Sequence, residues 1–252
     1  MCRHLGYIGE KELLYNILFK KKHSLVNMAF NPKEMENAKL NADGFGIAWN
    51  SNSNFYLYKS VLPIWNDPNL DAVTKNLSSD IVLANVRSAT ISKDLSYSNT
   101  HPFIYKDLLF SHNGYIKNFH DSVKEKIIDL IDNKLLSEIK GNTDSEYIFF
   151  LFIHCYNQEK NISKAIYKTI DILRDICQEA MLNFLICTRG NNIKLYATKF
   201  SLEARCPSLY LLKDSSNNIY ISSEKLDEKD WLKVKDYSLL ECKMNSFKIT
   251  NL

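Results

Sequence analysis

Cys2 has a chemical possibility that the other five cysteines of the chain lack, because it is the second residue. Removal of Met1 would place a thiol and a free α-amine on one residue. The reference pKa of a thiol is about 8.5 and that of an α-amine about 7.7 to 8.0, so the amine can take the thiol proton near neutrality. Cys2 is therefore a candidate nucleophile that needs no histidine as its base. The alternative is a buried cysteine in a first strand, and position alone favours neither.

Arg87 ends the apolar run at residues 81–86, which predicts a buried strand. An arginine at the end of such a strand can point its planar donor fork into a cleft and bind a carboxylate through two hydrogen bonds. The hydroxyls of Ser88 and Thr90 follow and could bind the same anion. The alternative is a salt bridge at the rim, which is the commoner role of an isolated arginine.

Asn113 and Gly114 form a dipeptide with two interpretations. Asn-Gly is the strongest short signal for a β-hairpin turn, and taken alone this interpretation is favoured. The same pair could also supply an amide N–H and a backbone N–H to an oxyanion hole.

Asp144 lies in Thr143-Asp144-Ser145-Glu146, which has the form of a capping box before an apolar helix. Thr143 is predicted as the N-cap and Glu146 as its reciprocal partner. Asp144 then falls in the first turn, where the helix dipole favours a carboxylate. That position would equally suit recognition of a ligand ammonium group.

Several kinds of site are not indicated. The histidines lack paired metal-ligand spacing such as HExxH, and the six cysteines form no CxxC pair. The sequence also contains no P-loop and no complete dinucleotide fingerprint. We therefore predict no metal and no cofactor.

The 252-residue chain is 45% hydrophobic and 24% charged, with a formal net charge of +3. This composition is typical of a globular protein with a substantial core. The basic surplus is spread along the chain, which does not indicate a nucleic-acid partner. No apolar run is long enough to cross a bilayer, so no membrane partner is predicted. Residues 1–6 do not resemble a signal peptide, and we expect a cytoplasmic protein.

The order of predicted elements is strands, then helices, then strands, which indicates an α+β fold with antiparallel sheets. No linker divides the chain, and one domain spanning residues 1–252 is expected. Hairpin turns are predicted at residues 189–192 and 214–218. The predicted strands are 2–8, 44–49, 55–59, 81–87, 108–112, 181–188, 193–198, 209–212 and 219–222, with two more after Trp231. The predicted helices are 12–19, 68–77, 118–131, 144–156 and 161–177.

In order and spacing, these motifs resemble those of the class II glutamine amidotransferases, members of the N-terminal-nucleophile hydrolase superfamily. The resemblance covers nearly the whole chain. The matching segments are Met1-Cys2-Arg3-His4-Leu5-Gly6-Tyr7, Asn41-Ala42-Asp43-Gly44-Phe45-Gly46-Ile47-Ala48-Trp49, Val86-Arg87-Ser88-Ala89-Thr90, His101-Pro102-Phe103, Phe110-Ser111-His112-Asn113-Gly114, Gly141-Asn142-Thr143-Asp144-Ser145-Glu146 and Ser222-Ser223-Glu224-Lys225-Leu226.

The resemblance implies a four-layer αββα sandwich of two antiparallel sheets. It also implies roles for single residues. Cys2 would be the nucleophile with its own amine as base, and Asn113 and Gly114 would form the oxyanion hole. The remaining residues would bind the substrate: Arg87 with Ser88 and Thr90 at the α-carboxylate, Asp144 at the α-ammonium, and His112 beside them.

The implied reaction is cleavage of a γ-glutamyl amide through a thioester, without metal or cofactor. The chain resembles short stand-alone members, especially the ergothioneine-pathway enzyme that acts on γ-glutamyl-hercynylcysteine sulfoxide. Residues 1–5 and 63–68 carry that similarity. Two alternatives stay open. The chain could be a glutaminase subunit that delivers ammonia to a separate synthase partner, or a catalytically silent binding or scaffold protein.

Overall fold

Two antiparallel sheets form the centre of the computed structural model, which describes residues 2–35, 39–88, 95–189 and 193–252. The strands are β1 (Arg3–Leu13), β2 (Phe45–Ser51), β3 (Asn54–Ser60), β4 (Ser78–Val86), β5 (Phe103–Tyr105), β6 (Leu108–Ile116), β7 (Ala180–Thr188), β8 (Lys194–Lys199), β9 (Ser201–Leu202), β10 (Tyr210–Lys213), β11 (Ile219–Ser222), β12 (Leu232–Lys233), β13 (Ser238–Lys243) and β14 (Ser246–Asn251). The first sheet has the order β12-β10-β11-β1-β4-β2-β3. The second has the order β14-β13-β8-β7-β6-β5, and β9 also pairs with β7.

Helices cover the outer face of each sheet. They are α1 (Leu14–Leu18), α2 (Leu25–Phe30), α3 (Leu70–Asn76), α4 (Lys124–Leu130), α5 (Asn133–Leu136), α6 (Asp144–Glu159) and α7 (Ile162–Ile176). A 3₁₀ turn at Ile64–Asn66 and a wide helical turn at Phe119–Val123 complete them. None of the helices within the described ranges combines the length and apolar character that crossing a bilayer requires.

The alternation of side chains along the strands divides the apolar core into three layers. In β4, Ile81 and Leu83 face the second sheet, whereas Val82 packs with α1 to α3. In β6, Leu109 belongs to the layer between the sheets and Phe110 packs with α6 and α7. The layers therefore run helix, sheet, sheet, helix, which confirms the predicted αββα sandwich.

The two long helices predicted from an apolar run and from an amphipathic pattern are confirmed, and the helix predicted near the N-terminus is wrong in part. The predicted helices 144–156 and 161–177 correspond to α6 and α7. In the predicted helix 12–19, residues 12 and 13 continue β1 after an irregularity and pair with β4. The helix begins only at Leu14. Pairing with a neighbouring strand here outweighs the local helical pattern.

Other elements depart from the prediction in detail. The predicted helix 118–131 begins as a wide turn after Asn118, whose φ of 55° is left-handed, and becomes the regular helix α4 at Lys124. Three strands follow Trp231 where two were expected, because the two-residue β12 carries no pattern of its own. The hairpin at 214–218 is confirmed by a hydrogen bond from Asp214 N to the Asn218 carbonyl at 2.9 Å. Most of the other predicted hairpin, residues 190–192, lies outside the described residues.

A buried carboxylate ties the first strand to the segment that follows α2. Glu224 is 1% exposed, forms an ion pair with one side chain and hydrogen bonds with three further groups. The side chains of Arg3 and His23 reach it at 2.9 and 2.7 Å. The backbone N–H groups of Lys33 and Glu34 reach it at 2.8 and 3.1 Å. Burial alone would raise the pKa of Glu224, but these donors outweigh it and hold the pKa below its ordinary value.

We predict that Glu224→Gln destabilises the fold by about 3 to 5 kcal/mol, because it leaves the guanidinium of Arg3, which is fully buried, without its counter-charge. Urea unfolding at pH 7.5 measures this loss. Asp71→Asn is the matched control: it breaks the exposed ion pair with Lys75 and should change the midpoint little. Equal effects of the two variants would contradict the assignment.

Candidate active site

A cavity of about 380 Å³ opens where β1, the end of β4, β6 and the start of α6 meet. Most of the predicted site residues line it, namely Cys2, Arg87, Ser88, His112, Gly114 and Asp144. Asn113 is buried next to Gly114. Thr90 lies outside the described residues. The fold thus brings together side chains that are as much as 142 positions apart in sequence, from residue 2 to residue 144.

The pairing of β1 with β4 places Cys2 beside Arg87. Arg3 lies opposite Val86 in this pair. Because the strands are antiparallel, Cys2, which precedes Arg3, lies beside Arg87, which follows Val86. Cys2 is 7% exposed, and its Sγ lies 4.0 Å from the carbonyl oxygen of Ser88. Arg87 is itself buried, and its backbone N–H donates to the carbonyl oxygen of Gly44 at 2.8 Å. The structure thus places Arg87 directly after the buried strand β4, in the lining of the cavity.

Asn113 and Gly114 do not form a hairpin turn. Both lie within the continuous strand β6, where they pair with Asn183 and Leu182 of β7. The turn interpretation of Asn-Gly is therefore wrong, and Gly114 has another reason to be glycine. A Cβ at this position would overlap the carbonyl oxygen of Met181 and lie 2.5 Å from Nε2 of His112.

The N–H of Gly114 points away from β7, which follows from the register. Residues opposite each other in an antiparallel pair alternate between hydrogen-bonded and non-bonded positions. Directly after β6, the backbone N–H of Lys117 donates to the backbone carbonyl of Glu179, the residue opposite it, at 3.0 Å. The backbone N–H groups of the odd-numbered residues of β6 therefore point towards β7. The even-numbered N–H groups point to the other edge, and there Ile116 N–H donates to Asp144 Oδ2 at 2.8 Å. Gly114 N–H is aimed at this same edge, beside the cavity.

The side chain of Asn113 lies between the two sheets. Its Nδ2 donates to Ser223 Oγ across a long 3.4 Å contact, and its Oδ1 has no hydrogen-bond partner within the described part of the chain. Ser223 is held in turn by the backbone N–H of His4 at 3.0 Å. The amide of Asn113 is therefore oriented by the first sheet but weakly engaged, which suits a donor that has to bind an oxyanion.

Asp144 is the first residue of α6 and is fixed by its neighbours. Oδ2 accepts from Ile116 N–H, and Oδ1 accepts from Ser145 N–H at 2.7 Å. The predicted N-cap is confirmed, since Thr143 Oγ1 accepts from Glu146 N–H at 3.3 Å. The other half of the capping box is different: the Glu146 carboxylate binds the N–H groups of residues 140 and 141, at 3.0 and 2.6 Å.

His112 is held as a neutral ring. Its Nε2 lies 2.7 Å from the Met181 carbonyl, which can only accept, so Nε2 carries the hydrogen and Nδ1 accepts from Ser145 Oγ at 2.9 Å. Burial lowers the pKa of His112 in spite of the charge of Asp144. The predicted polar contact of His112 with a substrate would have to displace one of these two bonds.

Sequence reasoning gave no role to His101, which the structure places in the cavity wall. The sequence carried only an indirect signal, since His101-Pro102-Phe103 matched a family motif without a function attached. The structure also locates the six cysteines of the chain. All six are buried and free of disulfides, and burial raises the pKa of Cys155, Cys177, Cys187, Cys206 and Cys242. Those five are packed as neutral thiols. Among the described residues, no group of three or more His, Cys, Asp or Glu side chains is arranged to hold a metal ion.

Comparisons with known proteins agree on one family. The model of the family described as glutamine amidotransferases class-II matches residues 16–203. The probable glutamine amidotransferase DUG3 of Saccharomyces cerevisiae is 32% identical, over 96% of this chain and 82% of the yeast protein. The gamma-glutamyl-hercynylcysteine sulfoxide hydrolase of Mycobacterium tuberculosis is 31% identical, over 46% of this chain and 50% of that protein.

Solved structures share the fold at low sequence identity. A glutamine aminotransferase class-II domain protein from Silicibacter pomeroyi superposes with a TM-score of 0.71, at 21% identity and over 99% of both chains. The glutamine phosphoribosylpyrophosphate amidotransferase of B. subtilis gives a TM-score of 0.65 at 14% identity, over 99% of this chain and 49% of that one.

Three buried histidines, two in the cavity wall and one in β1, predict a loss of stability in mild acid. Burial lowers the pKa of His4 to about 3, that of His101 well below its ordinary value, and that of His112 in the same direction. Below about pH 6.5 the unfolded chain therefore binds protons that the folded chain does not. Stability is complete well above pH 6.5 and is lost as the pH falls below that value, by about 1.4 kcal/mol per pH unit for each histidine whose folded-state pKa lies well below the pH.

Urea unfolding at pH 7.5 and 5.5 tests this prediction, with an expected difference of roughly 3 kcal/mol from His4 and His101 together, to which His112 adds in the same direction. Replacing His101 by Phe should reduce the difference by roughly 1.4 kcal/mol. A free energy of unfolding that is the same at both pH values would contradict it.

Proposed function

The chain belongs to the class II glutamine amidotransferases, and we propose that it hydrolyses the amide bond of a γ-glutamyl substrate through a thioester on Cys2. The observation that carries this proposal is one cavity lined by a thiol, an arginine, a glycine at a free strand edge and a carboxylate: Cys2, Arg87, Gly114 and Asp144.

Substrate binding uses the charged groups at the two ends of the amino-acid portion. The fork of Arg87 binds the α-carboxylate, and Ser88 lies next to it. The carboxylate of Asp144 binds the α-ammonium, with its orientation fixed by Ile116 and Ser145. Two charges of opposite sign select a zwitterionic α-amino acid and direct its side-chain amide towards Cys2.

The first half-reaction forms the thioester. The Cys2 amine, free once Met1 is removed, takes the thiol proton, and the thiolate sulfur attacks the γ-carbonyl carbon. The carbonyl oxygen becomes an oxyanion that accepts from Asn113 Nδ2 and Gly114 N–H. When the oxyanion collapses, the C–N bond breaks and the leaving amine takes the proton from the Cys2 ammonium group.

The second half-reaction releases glutamate. The Cys2 amine accepts a proton from a water molecule, whose oxygen attacks the thioester carbon through a second oxyanion in the same hole. The C–S bond then breaks, and the proton returns to the sulfur. The free amine and thiol of Cys2 are restored.

We predict that Cys2→Ala abolishes glutamate release from glutamine and from γ-glutamyl peptides, since no sulfur remains to attack. Coupled detection of glutamate measures the activity. Cys155→Ala is the matched control, because Cys155 is a buried thiol on α6 outside the cavity lining and its loss should leave turnover intact. Unchanged glutamate release by Cys2→Ala would overturn the assignment of the nucleophile. The intact mass tests the base separately: a mature protein that retains Met1 has no free amine on Cys2.

We predict that Asn113→Ala lowers kcat by about 10² to 10³ with little change in KM, because its amide acts on the oxyanion and not on the bound substrate. Ser223→Ala is the control, since it removes the hydrogen-bond partner of Asn113 Nδ2 but not the amide itself. Its kcat should fall much less. If Asn113→Ala raises KM and leaves kcat unchanged, the residue binds substrate and does not form the oxyanion hole.

The leaving amine is the open part of the substrate. Beyond the amino-acid site the cavity continues along Tyr115, Ile116 and Phe119. The mycobacterial relative supports γ-glutamyl-hercynylcysteine sulfoxide as one specific candidate. Competition among glutamine, glutathione and this sulfoxide for one enzyme preparation ranks them by kcat/KM. If all three give equal values, this part of the cavity does not select the leaving amine.

A further inference from the structure

His101 is a polar side chain without a partner in the wall of the active-site cavity. It is 3% exposed, and neither Nδ1 nor Nε2 has a hydrogen-bond partner in the part of the chain that the structure describes. A buried polar group left unpaired destabilises a fold. Such a group beside a cavity is accounted for if a ligand supplies the missing partner.

The ring of His101 is held firmly in this position. Its edge contacts the ring of Phe103, with centroids 4.7 Å apart and an angle of 61° between the planes. Its backbone packs against β2 at Gly46, where a Cβ would overlap the carbonyl oxygen of His101. The histidine is therefore fixed by a close backbone approach and an aromatic neighbour. It need not reorganise when a ligand arrives.

The charges around His101 indicate the kind of ligand atom. Burial and the nearby groups His112, Arg87, Lys59 and His4 all lower its pKa, so the ring is neutral and one nitrogen carries a hydrogen. Two of these neighbours, Arg87 and Lys59, are cations. A position that faces a neutral N–H donor and lies near two cations suits an anionic oxygen.

We propose that the ring N–H of His101 donates a hydrogen bond to the α-carboxylate that Arg87 binds, which makes His101 a substrate-binding residue. This inference rests on the proposed function. His4 provides the contrast. It is equally buried, and its two ring nitrogens likewise have no hydrogen-bond partner among the described residues, but it does not line the cavity.

The test measures binding in the absence of turnover. In the Cys2→Ala background, calorimetry gives the Kd of L-glutamate, the reaction product, and of 4-aminobutanoate, which keeps a carboxylate equivalent to the γ-carboxylate but lacks the α-carboxylate. His101→Phe has nearly the same shape and no donor. We expect it to weaken L-glutamate binding about 10- to 150-fold, the effect of losing a hydrogen bond to a charged group, and to leave 4-aminobutanoate binding unchanged.

Stability distinguishes substrate binding from a structural role. Replacing an unpaired buried polar ring by an apolar one should leave the unfolding midpoint at pH 7.5 unchanged or raise it. If His101→Phe does not fold, His101→Leu takes its place with the same expectations. His154→Phe, on α6 and outside the cavity lining, should bind both ligands as the parent does.

The outcomes separate this inference from the proposed function. Equal L-glutamate affinity with and without His101 overturns the role of His101 and leaves the γ-glutamyl site intact. Equal weakening of L-glutamate and 4-aminobutanoate also overturns it, because the contact would then not be specific to the α-carboxylate. Failure of the Cys2→Ala parent to bind L-glutamate at all overturns the γ-glutamyl site, and the role of His101 with it.

Discussion

The ion pair between Arg3 and the buried carboxylate of Glu224 is the interaction on which the position of Cys2, the proposed nucleophile, depends. Arg3, which the carboxylate neutralises, donates through Nη1 to the carbonyl oxygen of Cys2 at 3.2 Å. A cation with no exposed surface is stable only beside its counter-charge, so the start of β1 cannot shift without separating the pair. The same carboxylate binds His23 and the backbone at residues 33 and 34. The side chain of Glu224 thereby fixes the start of β1 through Arg3, while the thiol of Cys2 lines the cavity.

Arg87 follows β4 of the first sheet, and the other groups of the site come from the second sheet and its helix. The edge of β6 supplies the N–H of Gly114, α6 supplies Asp144, and the space between the sheets holds Asn113. Each is oriented by a bond to a different part of the fold, so little reorganisation is needed when charge develops on a substrate oxygen. His112 contributes to this rigidity, because its two ring nitrogens join β7 to the first turn of α6.

Much of this arrangement was predictable from the sequence, and the exceptions have physical reasons. An apolar run after a capping box located α6, amphipathic periodicity located α7, and ordered motifs indicated the family and most of the residues around the cavity. Asn113-Gly114 was ambiguous because the chemistry that favours a tight turn is local, whereas its placement in β6 is decided by pairing with β7. His101 was missed for a related reason. Its significance comes from unpaired nitrogens beside a cavity, and only the packed structure shows them.

The short strand β5 has a consequence for how the molecule behaves among its own copies. Within the described residues β5 pairs with β6 only at residues 108–110, so the rest of that edge presents N–H groups directed away from the sheet. Free strand edges are templates on which another chain can add a strand. Here Asp144 takes one of these N–H groups, and in the proposed reaction the oxyanion takes another. The backbone donors that a neighbouring strand would otherwise use are thus the ones that the fold and the proposed reaction assign to recognition and catalysis.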